Sequence, residues 1–518
     1  MFTNLRNSSR LFAIGWTLAR HDALFGLEAL GVSPVITWVC RRLARRKVDA
    51  RPGKRLSAAL QELGPTFIKV GQALSTRADL VGQEIAEDLT HLQDNVPPFD
   101  SAIAKRMVEE ELGASIAELF SQFDNEPIAA ASIAQVHFAT TTDGREVAVK
   151  VLRPNVKAFF DRDLAMMFWL ARIVERRAPS LHRYKPIQVV ETFANTFHIE
   201  LDLRFEAAAA EELRHNTRND TDFYVPAVDW NRSASRVLTT ERIRGFHAND
   251  LEGMRAAGLD FDAIMKRASE SFFNQVFRDG FFHADMHPGN LFVLPDGRLA
   301  PVDFGIMGRM DKASQLFLAR ILYAFFREDY MEVARIHREA GYIPQHVSIE
   351  QFAQAAMAVG KPIIDKPLNE ISAGKLIGQL VRIADMFEME VQPHLLLLQK
   401  TMMTAEGVGR GLNPNVNMWK LSEPLIAAWA REHFSPKARL RNYARDTAEV
   451  LQHMPTVLRE VKQFMDDVKQ HGVPVAKTSL EPMLRQRQRY QRAWLRLGWA
   501  FLLLLAAIFA GELYRLVE

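Results

Sequence analysis

The chain carries a single cysteine, Cys40, in 518 residues. That excludes an intramolecular disulfide framework and a cysteine-rich zinc site, and it fits a reducing compartment. An excess of charge of one sign is also lacking: 65 Lys and Arg stand against 62 Asp and Glu, a net charge of only +3, so global charge points to no nucleic-acid partner. There is no internal repeat and no low-complexity tract, and positions 1–20 mix charge with apolar residues, unlike a secretory leader. Long hydrophobic runs are missing with one exception, Leu497–Gly511. This uncharged run falls short of the roughly 20 residues of a spanning helix. With Trp494 and Tyr514 as interfacial anchors and Arg496 and Arg515 able to snorkel, it is nevertheless expected to form one transmembrane helix over 494–516. The basic run Arg485–Arg492 just before it predicts that the main body stays on the cytoplasmic face of the membrane. A second basic cluster, Arg41–Lys47, reads as a solvated helix face.

What is present is concentrated in two short motifs. His283-Ala284-Asp285-Met286-His287-Pro288-Gly289-Asn290 has the H-x-D-x-x-x-x-N spacing of a kinase catalytic loop, and Asp303-Phe304-Gly305 is a D-F-G metal-binding motif. Phosphoryl transfer requires a carboxylate beside the attacking hydroxyl or water, here Asp285. It also requires an amide oxygen and a second carboxylate to hold magnesium against the phosphates, here Asn290 and Asp303. Leu291–Leu294 and Leu299–Val302 read as strands joined by the turn Pro295-Asp296-Gly297-Arg298. That hairpin is expected to bring the three residues to one site. A lone D-F-G is common by chance; the two motifs in this order are not.

Upstream, Val147-Ala148-Val149-Lys150 ends a second expected hairpin, Ile133–Thr141 with Glu146–Leu152, turning at Asp143-Gly144. It matches the V-A-I-K pattern whose lysine neutralises phosphates and pairs with a glutamate. The glycine-rich loop that normally precedes it is absent. In its place stand Ile128, Ala129, Ala130, Ala131, Ser132, Ile133, Ala134, Gln135 and Val136. Alanine resists both positive φ and close backbone approach, so this loop is expected to cover phosphates differently; the bland alternative is a helix start. His283 is expected to brace the catalytic loop. His287 stands where a kinase has its catalytic-loop lysine, which makes it a candidate for contact with the γ-phosphate.

The pattern along the chain suggests an α+β, bilobal protein-kinase-like fold. Its parts are a basic helical segment (1–54), a helical extension (55–125), an N-lobe (126–245), a mostly helical C-lobe (246–435), a helical linker (436–493) and the C-terminal transmembrane helix (494–516). Helices are expected over Ser101–Phe123, Pro186–Arg214 and Asp262–Arg278, a strand over Arg236–Ile243, and breaks at Gly64-Pro65, Gly341, Pro344 and Pro362.

Over about residues 55–310 the chain resembles the UbiB family of atypical kinase-like proteins of ubiquinone biosynthesis. The resemblance rests on Lys69-Val-Gly71-Gln72 (the family's K-x-G-Q segment), the alanine-rich loop, Glu200-Leu-Asp202 with Glu206 (its E-x-D segment), His283–Asn290 and Asp303–Gly305. Met286, where the family usually has proline, is a departure that touches loop stiffness only. The resemblance implies that Glu206 pairs with Lys150, and that Lys69 enters the active site to meet Glu200 or Asp202. The K-x-G-Q helix would then lie across the face where an ordinary kinase docks protein substrates. The absence of an A-P-E motif after Asp303–Gly305 agrees with that. The implied cofactors are ATP or ADP and Mg2+. The implied partners are membrane quinone precursors and other enzymes of ubiquinone biosynthesis. Two other classes stay open: a small-molecule kinase of the aminoglycoside or choline type, and a non-catalytic scaffold.

Overall fold

A computed structural model describes residues 2–24, 50–75, 81–90, 92, 97–177, 185–364, 373–389, 392–413 and 418–434. The chain divides into two compact units, Met1–Arg431 and Glu432–Glu518, and nearly all described residues belong to the first. The expected linker and transmembrane helix lie outside the described residues. Among the described residues no helix is long and apolar enough to cross a membrane.

The first unit begins with α1 (Phe2–Arg20), α2 (Pro52–Leu63), α3 (Pro65–Ser75) and α4 (Gln83–Thr90). The expected break at Gly64-Pro65 separates α2 from α3. Phe67 and Ile68 of α3 are buried with Leu60, Leu63, Leu89 and Leu92, and Met166 from a later helix joins them. Gly71 permits this packing: a Cβ there would stand 2.8 Å from Leu60 Cδ1.

Next come α5 (Ser101–Leu112) and the single turn α6 (Ile116–Leu119), then β1 (Phe120–Phe123), β2 (Ala129–Ala130), β3 (Ala134–Thr141) and β4 (Glu146–Leu152). The single helix expected over Ser101–Phe123 is therefore incorrect at its end. Gly113 caps α5 in the left-handed region, and Phe120–Phe123 turns into an edge strand whose phenylalanines enter the core under α5. The β3–β4 hairpin forms as expected. β5 (Val237–Glu241) completes an antiparallel sheet in the order β1-β3-β4-β5, with β2 attached to β3. Along β4 the period of two buries Val147, Val149 and Val151 beneath α5 and turns Lys150 to the other face.

Between β4 and β5 lie α7 (Val156–Arg177), α8 (Pro186–Glu200) and α9 (Leu203–Asn216). The continuous helix expected over Pro186–Arg214 is thus broken at Leu201-Asp202. Asp202 accepts a hydrogen bond from the Arg204 N–H and so caps α9.

The second lobe contains β6 (Phe246–His247), α10 (Leu251–Ala256), α11 (Phe261–Phe273), β7 (Phe281–His283), β8 (Leu291–Val293), β9 (Leu299–Pro301) and β10 (Met307–Arg309). Helices α12 (Lys312–Phe326), α13 (Tyr330–Glu339), α14 (Ile349–Ile364), α15 (Ala373–Met386), α16 (Pro393–Leu412) and α17 (Met418–Phe434) follow. The expected β8–β9 hairpin is present, and its turn residue Gly297 has φ +81°. The end of the helix expected over Asp262–Arg278 is a π-helical stretch, Asn274–Asp279. Pro362 lies inside α14 rather than ending it. The bilobal α+β arrangement expected from the sequence is otherwise the one observed.

Candidate active site

The site is built on the junction of the two lobes. From the sheet, Lys150 Nζ reaches both carboxylate oxygens of Glu206 on α9, at 2.7 and 2.9 Å, and Asp303 at 3.3 Å. Accessibility separates the two acids. The Glu206 side chain is 7% exposed and that of Asp303 is 42%, so the first is sealed into the structure and the second is open to a ligand. Burial favours the neutral amine of Lys150, but the charges of Asp303 and Glu206 outweigh it and hold the ammonium protonated. Burial pushes the Glu206 carboxyl up, with Lys150 opposing and Asp303 adding to the rise. For Asp303 desolvation is overcome by Lys150, the Gly305 N–H and, from farther off, Lys69, which hold it well below the usual carboxylate range.

His283 ties the two motifs together. It is fully buried; its Nε2–H donates to the carbonyl of Asp303, and its Nδ1 accepts from the Asp285 N–H at 3.2 Å. These partners assign the neutral Nε2–H tautomer, and burial lowers the pKa in the same sense. His283 thus braces the loop, as expected. The π-helical stretch contributes Gln275, which sequence reasoning missed: its buried Oε1 accepts the His283 N–H at 3.1 Å. A π-helical segment at such a place aims one side chain inward at the cost of helix regularity. Across the β8–β9 hairpin, the Val302 N–H donates to Asn290 O at 3.0 Å, so Asn290 sits beside the residue preceding Asp303. The Asn290 amide nitrogen lies 3.5 Å from an Asp285 carboxylate oxygen. Phe304 is buried, and its N–H points to Glu206 at 3.4 Å.

Lys69, on α3, forms an ion pair with Glu200 at 2.9 Å, and its charge reaches Asp303. Asp202, the other residue expected near it, caps α9, and its side chain meets the Arg204 guanidinium.

The alanine-rich loop is a tight antiparallel strand pair, not a helix start. Ala129 and Ala130 pair with Val136 and Gln135, the Ala131 N–H donates to Ala134 O at 2.8 Å, and Val136 lies opposite Lys150 in the register. Ile128 is exposed and Ala134 buried; the Ile133 carbonyl accepts the Arg153 N–H. Arg153, which the sequence did not single out, straps the loop by donating from Nε to Ala131 O and from a terminal nitrogen to Pro97 O. The Ser132 hydroxyl is buried and has no partner among the described residues. The Gln135 side chain does not serve this loop: it bonds both backbone groups of Phe99, and His137.

Two further residues alter the expected loop chemistry. His287 is exposed, and its Nδ1 accepts from the Gly289 N–H of its own turn. The cation beside Asp285 comes instead from α16, where Lys400 Nζ stands 2.9 Å from Asp285 Oδ1. No motif points to Lys400, because it lies 115 positions from Asp285 in the chain and inside an ordinary apolar helix.

Comparison with known proteins agrees with this geometry. Residues 91–337 match the ABC1 atypical kinase-like domain, and residues 356–417 match the UbiB helical domain. A probable protein kinase UbiB from Pseudomonas aeruginosa is 44% identical over 452 residues, covering 86% of this chain and 84% of that one. One from Marinobacter nauticus is 39% identical over 97% of this chain and 93% of its own. A solved Mycobacterium tuberculosis structure, a complex with erythromycin, superposes with a TM-score of 0.52 at 27% identity, covering 72% of this chain and 94% of that one. The motifs, the lobe-bridging Lys150–Glu206–Asp303 cluster and these matches have one common reading: the chain belongs to the UbiB family of atypical kinase-like proteins, associated with ubiquinone biosynthesis.

Proposed function

We propose that this protein is a magnesium-dependent ATPase or kinase whose nucleotide turnover serves ubiquinone biosynthesis on quinone precursors held in the membrane. The observation that carries the reading is Lys150 closed onto sealed Glu206 and open Asp303 at once. In this arrangement the lysine is oriented from behind and presents its charge to a phosphate. The donor set fits a magnesium-nucleotide: one carboxylate and one amide oxygen for a metal that normally keeps waters and phosphates as its remaining ligands, with Lys150 and Lys69 as cations. Asn290 and Asp303 would hold magnesium, which when bound would offset the charge that develops on the phosphates. ATP or ADP would lie beneath the 128–136 loop, with the buried Ser132 hydroxyl as a spare polar group there. Asp285 orients the attacking hydroxyl or water and takes its proton.

Phosphorylation of protein substrates in trans is disfavoured by a specific feature. After Gly305 the chain enters β10, which pairs with β7, and Asp311 then caps α12. That leaves no length for an activation segment. The Lys69–Glu200 pair also ties the N-terminal extension to the cleft. A membrane-attached body on the cytoplasmic face suits a substrate that partitions into the bilayer, and other enzymes of the same synthesis are its expected partners.

The test is disruption of the gene in its host, with quinone lipids measured by mass spectrometry and rescue attempted with wild type and Asp303→Asn. Lost ubiquinone with a prenylated precursor building up, rescued by wild type alone, is the expected result. Rescue by both forms would reduce the protein to a scaffold. Unchanged quinones, in a host lacking a paralogue, would move the small-molecule kinase to the front.

A further inference from the structure

We propose that Lys400 is the cation that meets the γ-phosphate of the nucleotide and holds Asp285 in place, supplied to the catalytic loop by the C-terminal helical domain. The proposal rests on the nucleotide-site reading above.

The geometry argues for it in three ways. First, the ammonium is already at the loop, 2.9 Å from Asp285 Oδ1, with both side chains a little over one quarter exposed. Its field is also felt at His283. A surface ion pair between long side chains is usually incidental, but this one joins the carboxylate that must face the attacking group. A cation within ion-pair distance of that carboxylate is within reach of the phosphoryl group that approaches it, where charge develops.

Second, the position of Lys400 is enforced. Its neighbour Leu398 is buried in one cluster with Phe282 and Ala284, the residues leading into Asp285. Thr401 is fully buried and its hydroxyl donates to Leu397 O. At the far end of α16, Leu412 packs in the cluster that contains Met286, and Asn413 donates to Asp262 at 2.6 Å. Helix α16 is thus pinned on both sides of the catalytic loop, and Lys400 projects from a fixed backbone.

Third, the loop itself supplies no such cation. His287, at the corresponding position, is exposed and turned onto Gly289. The helical domain would then complete the active site and not merely flank it.

The contrast between nucleotides with and without a γ-phosphate tests this without requiring turnover. Dissociation constants for magnesium with ADP, and with a non-hydrolysable ATP analogue, are measured on the full chain, for wild type, Lys400→Met and Lys400→Arg. Loss of one charge-assisted contact predicts about ten-fold or weaker binding of the ATP analogue by Lys400→Met. ADP binding, which relies on Lys150, is expected to stay within about two-fold, and Lys400→Arg to recover most of the analogue affinity. If Lys400→Met does not fold, as judged by circular dichroism, the same contrast is read on Lys400→Gln. Equal loss for both nucleotides, or no loss, overturns the proposal while leaving the nucleotide site intact. A wild-type chain that binds neither nucleotide overturns both.

Discussion

Glu206 and Asp303 both contact Lys150, yet their removal is expected to have opposite consequences. Glu206 offers two contacts, at 2.7 and 2.9 Å, and is sealed; Asp303 offers one at 3.3 Å and is 42% exposed. Removing one partner of a buried ion pair costs roughly 3–5 kcal/mol, because the other charge is left uncompensated. In Glu206→Gln the remaining carboxylate of Asp303 compensates part of this, which brings the expected loss to about 2–3 kcal/mol. At ~2–4 °C per kcal/mol for a unit of a few hundred residues, the melting temperature should fall by about 5–10 °C. Asp303→Asn leaves the tighter pair in place and removes a charge that raises the Glu206 pKa. Its cost to the unliganded fold should be under about 1 kcal/mol, whereas magnesium-nucleotide binding should be lost. The assay is thermal denaturation by circular dichroism without nucleotide or magnesium, paired with a nucleotide titration. Equal destabilisation by the two variants would refute the division into a structural and a ligand-binding acid. Intact magnesium-dependent binding in Asp303→Asn would refute the metal assignment.

Further outcomes follow from other contacts. Gly71→Ala places a Cβ 2.8 Å from Leu60 and 3.2 Å from Leu92; overpacking of about 1–3 kcal/mol should loosen α3, seen as faster proteolysis within residues 52–90, and equal protection would count against it. Gln135→Ala strands the N–H and carbonyl of Phe99 and one nitrogen of His137. A loss of about 1–3 kcal/mol in urea denaturation is expected, against almost none if water replaces the amide. Burial holds the pKa of His283 below its ordinary 6.5. The folded state therefore resists protonation, and the stability contributed by this residue is complete above about pH 6.5 and declines as pH falls. The contribution of one such proton is at most ~1.4 kcal/mol per pH unit. His283→Gln should flatten the pH dependence of the melting temperature below neutrality; an unchanged slope would show that the ring is not kept neutral.

Much of the site was legible because its information is local. The β3–β4 and β8–β9 hairpins are written in alternating apolar residues and turn glycines; the first carries Lys150, and the second has Asn290 and Asp303 at its two ends. Where reading failed, a distant contact overrode local propensity. Phe120–Phe123 follows helix-forming sequence but becomes a strand, because β3 offers a free edge and α5 covers its phenylalanines. Residues 186–214 have helical composition throughout, yet Asp202 starts a new helix that aims Glu206 at Lys150. The π-helical turn and Gln275 are equally invisible, since side-chain spacing hardly distinguishes a π turn from an α turn.

The sequence alone determined the chemistry: which carboxylates, amide and lysine are present, their order, and the kinase-like class they define. Motif spacing encodes it because each motif is a short, rigid backbone unit. Only the tertiary structure decided which partners those groups have: Lys69 with Glu200, Gln275 behind His283, and Lys400 at Asp285. Those pairings depend on packing between segments far apart in the chain, where apolar clusters such as the one that holds Leu398 with Phe282 and Ala284 set the approach. Burial is a property of the folded whole, and no spacing of residues along the chain records it.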